Sequence, residues 1–384
     1  MTRAEEEAFR ARVRGCLLGG ALGDALGGPV EFLGVGEILA GHPEGVRGFV
    51  SGGAGWPAGS VTDDTQMTLF TVEGLIRAGV RTDRGLGFTV AVTHHAYDRW
   101  LDTQLLPGPS GMRDGWLQGE QWLYARRAPG NTCLSALTEA RQGGDSMPKF
   151  GGQAVNDSKG CGGVMRAAPF GLLPGRWVDA GWAFNAASEA AGYTHGHPTG
   201  KLASGALAAI VHEICRGADL DQALDSAQDL LIQHPGHEET STALTAAREL
   251  AQATQPTPGQ PTPGPATPGP AVVERLGGGW IAEEALAIGV YAALAYPAPE
   301  QFLDALALSV THSGDSDSTG SICGNILGVL HGETALPPEL VFAVEGRGVI
   351  LQLADDFVLE CTHARQLHDE YGPDTGWRTR YPGW

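Results

Sequence analysis

A chain of 384 residues, 42% hydrophobic and 18% charged, is globular and long enough to bury a large core. Its formal net charge of −19 and its three lysines, Lys149, Lys159 and Lys201, argue against nonspecific nucleic-acid binding, which neutralises many phosphates with cations. The charged N-terminus MTRAEEEAFRARVRG has no apolar signal core, and no apolar run approaches the ~20 residues needed to cross a bilayer; the expectation is a soluble cytoplasmic protein with no membrane contact.

Strand signals are sparse, and alanine and leucine at helical spacing predict a compact, mainly α-helical domain. The first predicted helix, Arg12 to Leu26, carries glycines at 15, 19, 23 and 27 on one face, a spacing that admits a closely packed neighbour. Packing does not account for Asp24 inside that stretch or Glu31 just after it. In GSVTDDTQMTLF, Gly59 to Phe70, Thr62, Asp63 and Asp64 stand directly before a predicted helix over Thr65 to Ala78. One acceptor is enough to cap a helix start. The second, adjacent carboxylate adds repulsion that a bound cation would relieve.

Further along, NDSKGCGGVMRAAPFG offers a loop of backbone amides and one lysine that could cradle a phosphate. It matches neither the Walker nor the dinucleotide pattern, and by itself a plain turn accounts for it. Helices are expected over Trp182 to Ala191, Gly200 to Cys215, Leu220 to Leu231, Ser241 to Ala251, Ile281 to Ala295, Glu300 to Val310 and Ile322 to Leu330. The run Trp280 to Leu294 is apolar nearly all round and reads as a core helix. Between these, QATQPTPGQPTPGPATPGPA, residues 252–271, cannot join a helical core because proline removes donors and favours extended chain. It reads as an exposed loop inserted in a single domain spanning 1–384. The six cysteines, Cys16, Cys133, Cys161, Cys215, Cys323 and Cys361, lack metal-site spacing and read as free thiols.

The last cluster is THSGDSDSTGS, Thr311 to Ser321, where Asp315 and Asp317 alternate with Ser316 and Ser318. Alone it is a capped helix start. Beside Thr62-Asp63-Asp64 it repeats the same combination of carboxylates and a hydroxyl, with neither histidine nor cysteine. All-oxygen ligand sets favour hard cations such as Mg²⁺ or Mn²⁺. Asp63, Asp64, Asp315 and Asp317 together could neutralise two divalent ions, which sit roughly 3.5–4 Å apart in two-metal sites. Spacing alone does not bring the two clusters together. If they meet, Ser316 is expected to point away from Asp315 and Asp317, as alternate residues do in extended chain.

In order, GDALG with VEF, TDDTQM, APGNT, SKGCGGVMR, THGHP, GWIAEEAL and GDSDSTGSICGNILG resemble the ADP-ribosylglycohydrolase family, which includes the dinitrogenase reductase-activating glycohydrolases. The resemblance covers about Val13 to Asp356 and skips the Pro/Thr/Gly insertion. It implies an all-α fold with a binuclear Mg²⁺ or Mn²⁺ centre in a cleft. The implied metal ligands are Thr62, Asp63, Asp64, Asp315, Asp317 and Ser318, and Glu31 is the implied catalytic residue. The diphosphate of ADP-ribose would meet Ser158, Lys159, Gly160, Cys161 and Gly162, with Gly130 and His195 near the ribose or adenosine. The implied activity is metal-dependent hydrolysis of the glycosidic bond between ADP-ribose and a modified target. Two other readings stay open: an inactive ADP-ribose-binding or structural paralogue, and a two-metal phosphoesterase cleaving the pyrophosphate. Some arginine-specific relatives carry an acidic residue two places before Gly-Asn-Thr. This chain has Ala128 there, so arginine preference does not follow from the resemblance.

Overall fold

The computed structural model describes residues 1–111, 114–143, 151–254, 268–368 and 375–383. Among these residues the regular structure is helical, apart from one isolated antiparallel bridge between Gly160 and Ile281. The fold class is therefore all-α, as expected. The longer helices are α1 (Arg3–Gly27), α2 (Asp63–Asp83), α3 (Val92–Leu105), α4 (Asn131–Gln142), α5 (Ala180–Ala191), α6 (Pro198–Cys215), α7 (Leu220–Leu231), α8 (Glu238–Thr254), α9 (Ala282–Ala295), α10 (Phe302–Val310), α11 (Ser316–His331) and α12 (Arg347–Leu367). One continuous buried cluster runs from Val13 to Tyr381.

Helix α1 begins well before the expected Arg12. Its polar start is held by a reciprocal cap: Glu5 N donates to Thr2 Oγ1 at 3.3 Å, and Thr2 N donates to Glu5 Oε2 at 2.7 Å. From Val13 onward α1 is almost entirely buried, and its glycine face packs antiparallel on α11. A Cβ added at Gly19 would lie 2.3 Å from the Gly324 carbonyl oxygen, and one at Gly23 would lie 2.0 Å from that of Gly320. The stripe is mutual, since a Cβ at Gly324 would meet the Gly19 oxygen at 2.0 Å. The two backbones thus touch directly. This crossing sets the end of α1, with Asp24 and the following Glu31, beside the start of α11. Gly324→Ala should destabilise the protein by about 1–3 kcal/mol or more in urea unfolding, because the added methyl must separate two helices. Gly36→Ala, where a Cβ meets nothing within 4 Å, is the near-neutral control. Equal midpoints for the two variants would sink the argument.

Helix α9, apolar all round as its sequence suggests, is buried between α8, α11 and the other core helices. Helices α8 and α9 lie on either side of the Pro/Thr/Gly segment and pack on each other, but α8 runs three residues into it, through 252–254, and buries Thr254, because the first proline comes only at 256. Of that segment, residues 255–267 lie outside the described residues. Three long helices carry no expectation from the sequence: α3, α4 and α12. In α12, Asp356 and Glu360 face inward, paired with Arg380 and Tyr381 and with His368 and Trp377. In α3, His94, Arg99, Thr103 and Gln104 are buried. Polar groups at core-facing positions break up the apolar period that would have marked α3 and α12.

Candidate functional site

Asp63 and Asp64 sit in the first turn of α2, with Thr62 as its N-cap, and Asp315 caps α11 ahead of Asp317 and Ser318. Both clusters therefore do what helix starts require: Asp64 N donates to Thr62 Oγ1 at 3.4 Å, and Ser318 N donates to Asp315 Oδ1 at 3.2 Å. The α1–α11 crossing and the packing of α2 bring the two starts together. A cavity of about 410 Å³ is lined by Glu31, Asp63, Asp64, Asp315, Asp317 and Ser318 together. Ser316 does not line it, and its hydroxyl contacts the carbonyls of His312 and Gly314. The reason differs from the expected one. Ser316 already lies in the first turn of a helix, so successive side chains are turned by the helical period rather than by strand alternation.

Asp24 holds the arrangement from beneath. Its carboxylate accepts from Thr62 N at 3.0 Å, Thr62 Oγ1 at 2.9 Å, Thr65 N at 3.0 Å and the Thr65 hydroxyl. Asp24 is fully buried and outside the cavity, so it positions the α2 start. A carboxylate inside a small-residue helix was the sequence signal for it. Thr62 is likewise buried and does not line the cavity; its hydroxyl is directed at Asp24.

The electrostatics are those of crowded, buried carboxylates. Burial, followed by the charge of Asp317, pushes the pKa of Asp24 up to about 7 and that of Glu31 up to about 11. The same two causes raise Asp63, Asp64 and Asp315 well above the usual carboxylate range. Single carboxylate oxygens of Glu31, Asp315 and Asp317 lie within 4.8 Å of one another. Glu31 Oε2 and Asp64 Oδ1 are buried with no hydrogen-bond partner among the described residues. An all-oxygen set with unsatisfied buried acceptors fits one or more hard divalent cations.

The remaining expected residues divide. Gly130, Gly160, Cys161, Gly162 and His195 line the cavity; Ser158 and Lys159 do not. The Lys159 ammonium is paired with Glu239 at 2.8 Å and Glu283 at 2.7 Å, which ties its loop to α8 and to the start of α9. Two amides of that loop are also engaged, Cys161 N with the Trp280 carbonyl and Gly160 N with Ser158 Oγ. The Cys161 thiol donates to Asp315 Oδ2 at 2.6 Å. Residues without a sequence expectation also face the cavity: Phe32, Arg126, Asn131, Thr132 and Trp280. Phe32 and Trp280 stack at its mouth with ring centroids 5.7 Å apart. Ala128 lines it in a left-handed conformation, φ 49°, which is uncommon for a residue with a Cβ.

A family model described as ADP-ribosylglycohydrolase matches residues 5–367. The chain is 26% identical over 334 residues to the ADP-ribosyl-[dinitrogen reductase] glycohydrolase of Rhodospirillum rubrum, covering 85% of this chain and 87% of that one. It is also 26% identical over 349 residues to the ADP-ribosylarginine hydrolase Tri1 of Pseudomonas putida (strain GB-1), covering 90% of this chain and 77% of the relative. A solved structure, titled as an ADP-ribosylglycohydrolase-related protein complex, shares the fold with a TM-score of 0.61 at 24% identity, over 92% of this chain and 99% of its own.

Proposed function

The chain belongs to the ADP-ribosylglycohydrolase family, and from that premise we propose that it hydrolyses the glycosidic bond between ADP-ribose and a modified target, releasing ADP-ribose. The observation that carries this reading is the single cavity shared by Glu31 and the aspartates of two distant helix starts. In this reading Asp63, Asp64, Asp315 and Asp317, with the hydroxyl of Ser318, would hold two Mg²⁺ or Mn²⁺, and Thr62, whose hydroxyl hydrogen goes to Asp24, would add only a lone pair of that oxygen. Bound there, the ions would orient ribose hydroxyls and polarise a water.

The protein's own groups do the rest. As the bond from the anomeric carbon to the target breaks, oxocarbenium character builds at that carbon and a water oxygen adds to it. The water's proton leaves and the departing heteroatom gains one; Glu31, buried at the cavity wall, is the group that carries it. The diphosphate would meet the cavity-lining part of the expected loop, Gly160, Cys161 and Gly162, and the start of α4, where Gly130 precedes amides that have no side-chain cap and the helix dipole favours an anion. Phe32 and Trp280 offer flat apolar faces at the mouth.

A panel of defined ADP-ribosyl linkages, incubated with metal and followed by mass spectrometry, tests the proposal. Free ADP-ribose as product supports it; AMP would instead identify a pyrophosphate-cleaving phosphoesterase; binding without turnover would identify an inactive paralogue. Ala128 makes one linkage prediction specific. Asp tolerates the left-handed conformation better than Ala, and a carboxylate there could pair with a guanidinium. Ala128→Asp should raise kcat/KM on ADP-ribosylarginine, relative to ADP-ribosylserine, by roughly tenfold, the value of one charge-assisted hydrogen bond. An unchanged ratio would remove Ala128 from linkage selection.

A further inference from the structure

Beside the cavity, against its lining residue Cys133, lies a buried arginine that the proposed chemistry does not use. Arg166, 1% exposed, donates to Thr194 Oγ1 at 2.6 Å, to Met67 Sδ at 3.2 Å and to Cys133 Sγ at 3.4 Å, and lies 4.2 Å from the centroid of the Tyr97 ring. These partners are hydroxyl, sulfur and aromatic face. Thr194 Oγ1 in turn lies 2.8 Å from His195 Nδ1, and its other acceptor, the Ala191 carbonyl, is more distant at 3.3 Å. His195 is 2% exposed and lines the cavity, and its Nε2 has no hydrogen-bond partner among the described residues. Space around Nε2 is kept by two glycines: a Cβ at Gly160 would stand 3.3 Å from it and one at Gly162 3.4 Å.

These contacts favour one place for the imidazole proton. A guanidinium only donates, so Thr194 Oγ1 accepts from Arg166 and has one hydrogen left to give. The neutral imidazole has a lone pair at one nitrogen and a hydrogen at the other. The Arg166 charge attracts the lone-pair end and repels the N–H end. The arrangement these effects favour has Thr194 donating to an Nδ1 lone pair and the ring hydrogen on Nε2, facing the cavity; the reverse would leave the Thr194 hydrogen only the longer bond to the Ala191 carbonyl. Burial, then the Arg166 charge, pushes the His195 pKa down to about 3, so the ring is neutral at working pH.

We propose that Arg166 and Thr194 form a relay that fixes His195 as a neutral Nε2–H donor to an acceptor oxygen of the bound ligand. Arg166 and Thr194 are positioning residues, and His195 is the group that meets the ligand. That the oxygen belongs to an ADP-ribosyl group rests on the function proposed above; the tautomer rests on the contacts alone. Nitrogen-15 NMR of histidine-labelled holoprotein reads the tautomer directly. The wild type should show His195 protonated at Nε2 only, with that signal moving when ADP-ribose is added. Thr194→Val, nearly the same shape without the hydroxyl, should lose the single tautomer and bind ADP-ribose about tenfold more weakly, as expected for one hydrogen bond. Thr194→Ser should restore both. A wild-type His195 protonated at Nδ1, or an unchanged tautomer in Thr194→Val, would overturn the relay. An Nε2–H tautomer in a holoprotein that does not bind ADP-ribose would support the relay and overturn the ADP-ribosyl reading.

Discussion

Chelation of divalent cations should abolish ADP-ribose release, and Mg²⁺ or Mn²⁺ should restore it. Two like charges 4 Å apart cost about 4 kcal/mol at the effective dielectric near a protein surface, and here several carboxylates share one buried cavity. An anionic diphosphate would meet that field unless cations offset it. Full turnover in excess EDTA would refute the metal role. The same crowding sets a pH signature for the metal-free protein. Asp24 and Glu31 have folded pKa values pushed up to about 7 and about 11, against about 4 in an unfolded chain. Between those limits the folded protein holds protons that the unfolded chain has released. The contribution of these two carboxyls to stability is therefore fully present below their unfolded pKa and is lost as pH rises through the folded values. Bound Mg²⁺ should relieve this, so the gain in Tm on adding Mg²⁺ should be larger at pH 8 than at pH 5. A gain independent of pH would contradict the electrostatic account.

Glu31→Gln should lower kcat by roughly 10²–10⁴-fold, the usual contribution of a positioned proton carrier, while ADP-ribose binding stays within a few-fold. The structure sharpens the control this test needs. A Glu31 oxygen lies within 4.8 Å of oxygens on Asp315 and Asp317, close enough to share a cation with them. If Glu31 served only to hold metal, raising the Mg²⁺ concentration would rescue the variant. Loss that persists at saturating Mg²⁺ assigns the proton to Glu31. A near-wild-type rate at any Mg²⁺ concentration removes Glu31 from the mechanism.

The helical class and most of the long helices were legible in the sequence because their apolar spacing is uninterrupted. Helix α7 has the expected ends, Leu220 and Leu231. Of the three helices that escaped, α3 and α12 bury paired polar groups, whose partners are set only by the fold. The two aspartate clusters were legible as helix starts with surplus charge, yet their meeting was not, because no local rule relates residue 63 to residue 315. The glycine face of α1 was visible, whereas its mate on Gly320, Gly324 and Gly328 was not singled out. Lys159 illustrates the converse. A lysine beside glycines suggests a phosphate loop, but its partners Glu239 and Glu283 come from elements far along the chain.

The glycine-to-glycine crossing of α1 and α11 joins nearly opposite ends of the chain. Closing so long a loop costs chain entropy before its contacts reward it, which slows folding. Helix α1 leaves the ribosome well before α11, with a bare backbone face and half a site, and must wait for its mate to be synthesised. Glu31 and Asp24 can meet Asp315 and Asp317 only when that closure is complete. Truncated or stalled chains therefore lack the assembled centre, and the arrival of the last long helices is the step that completes it.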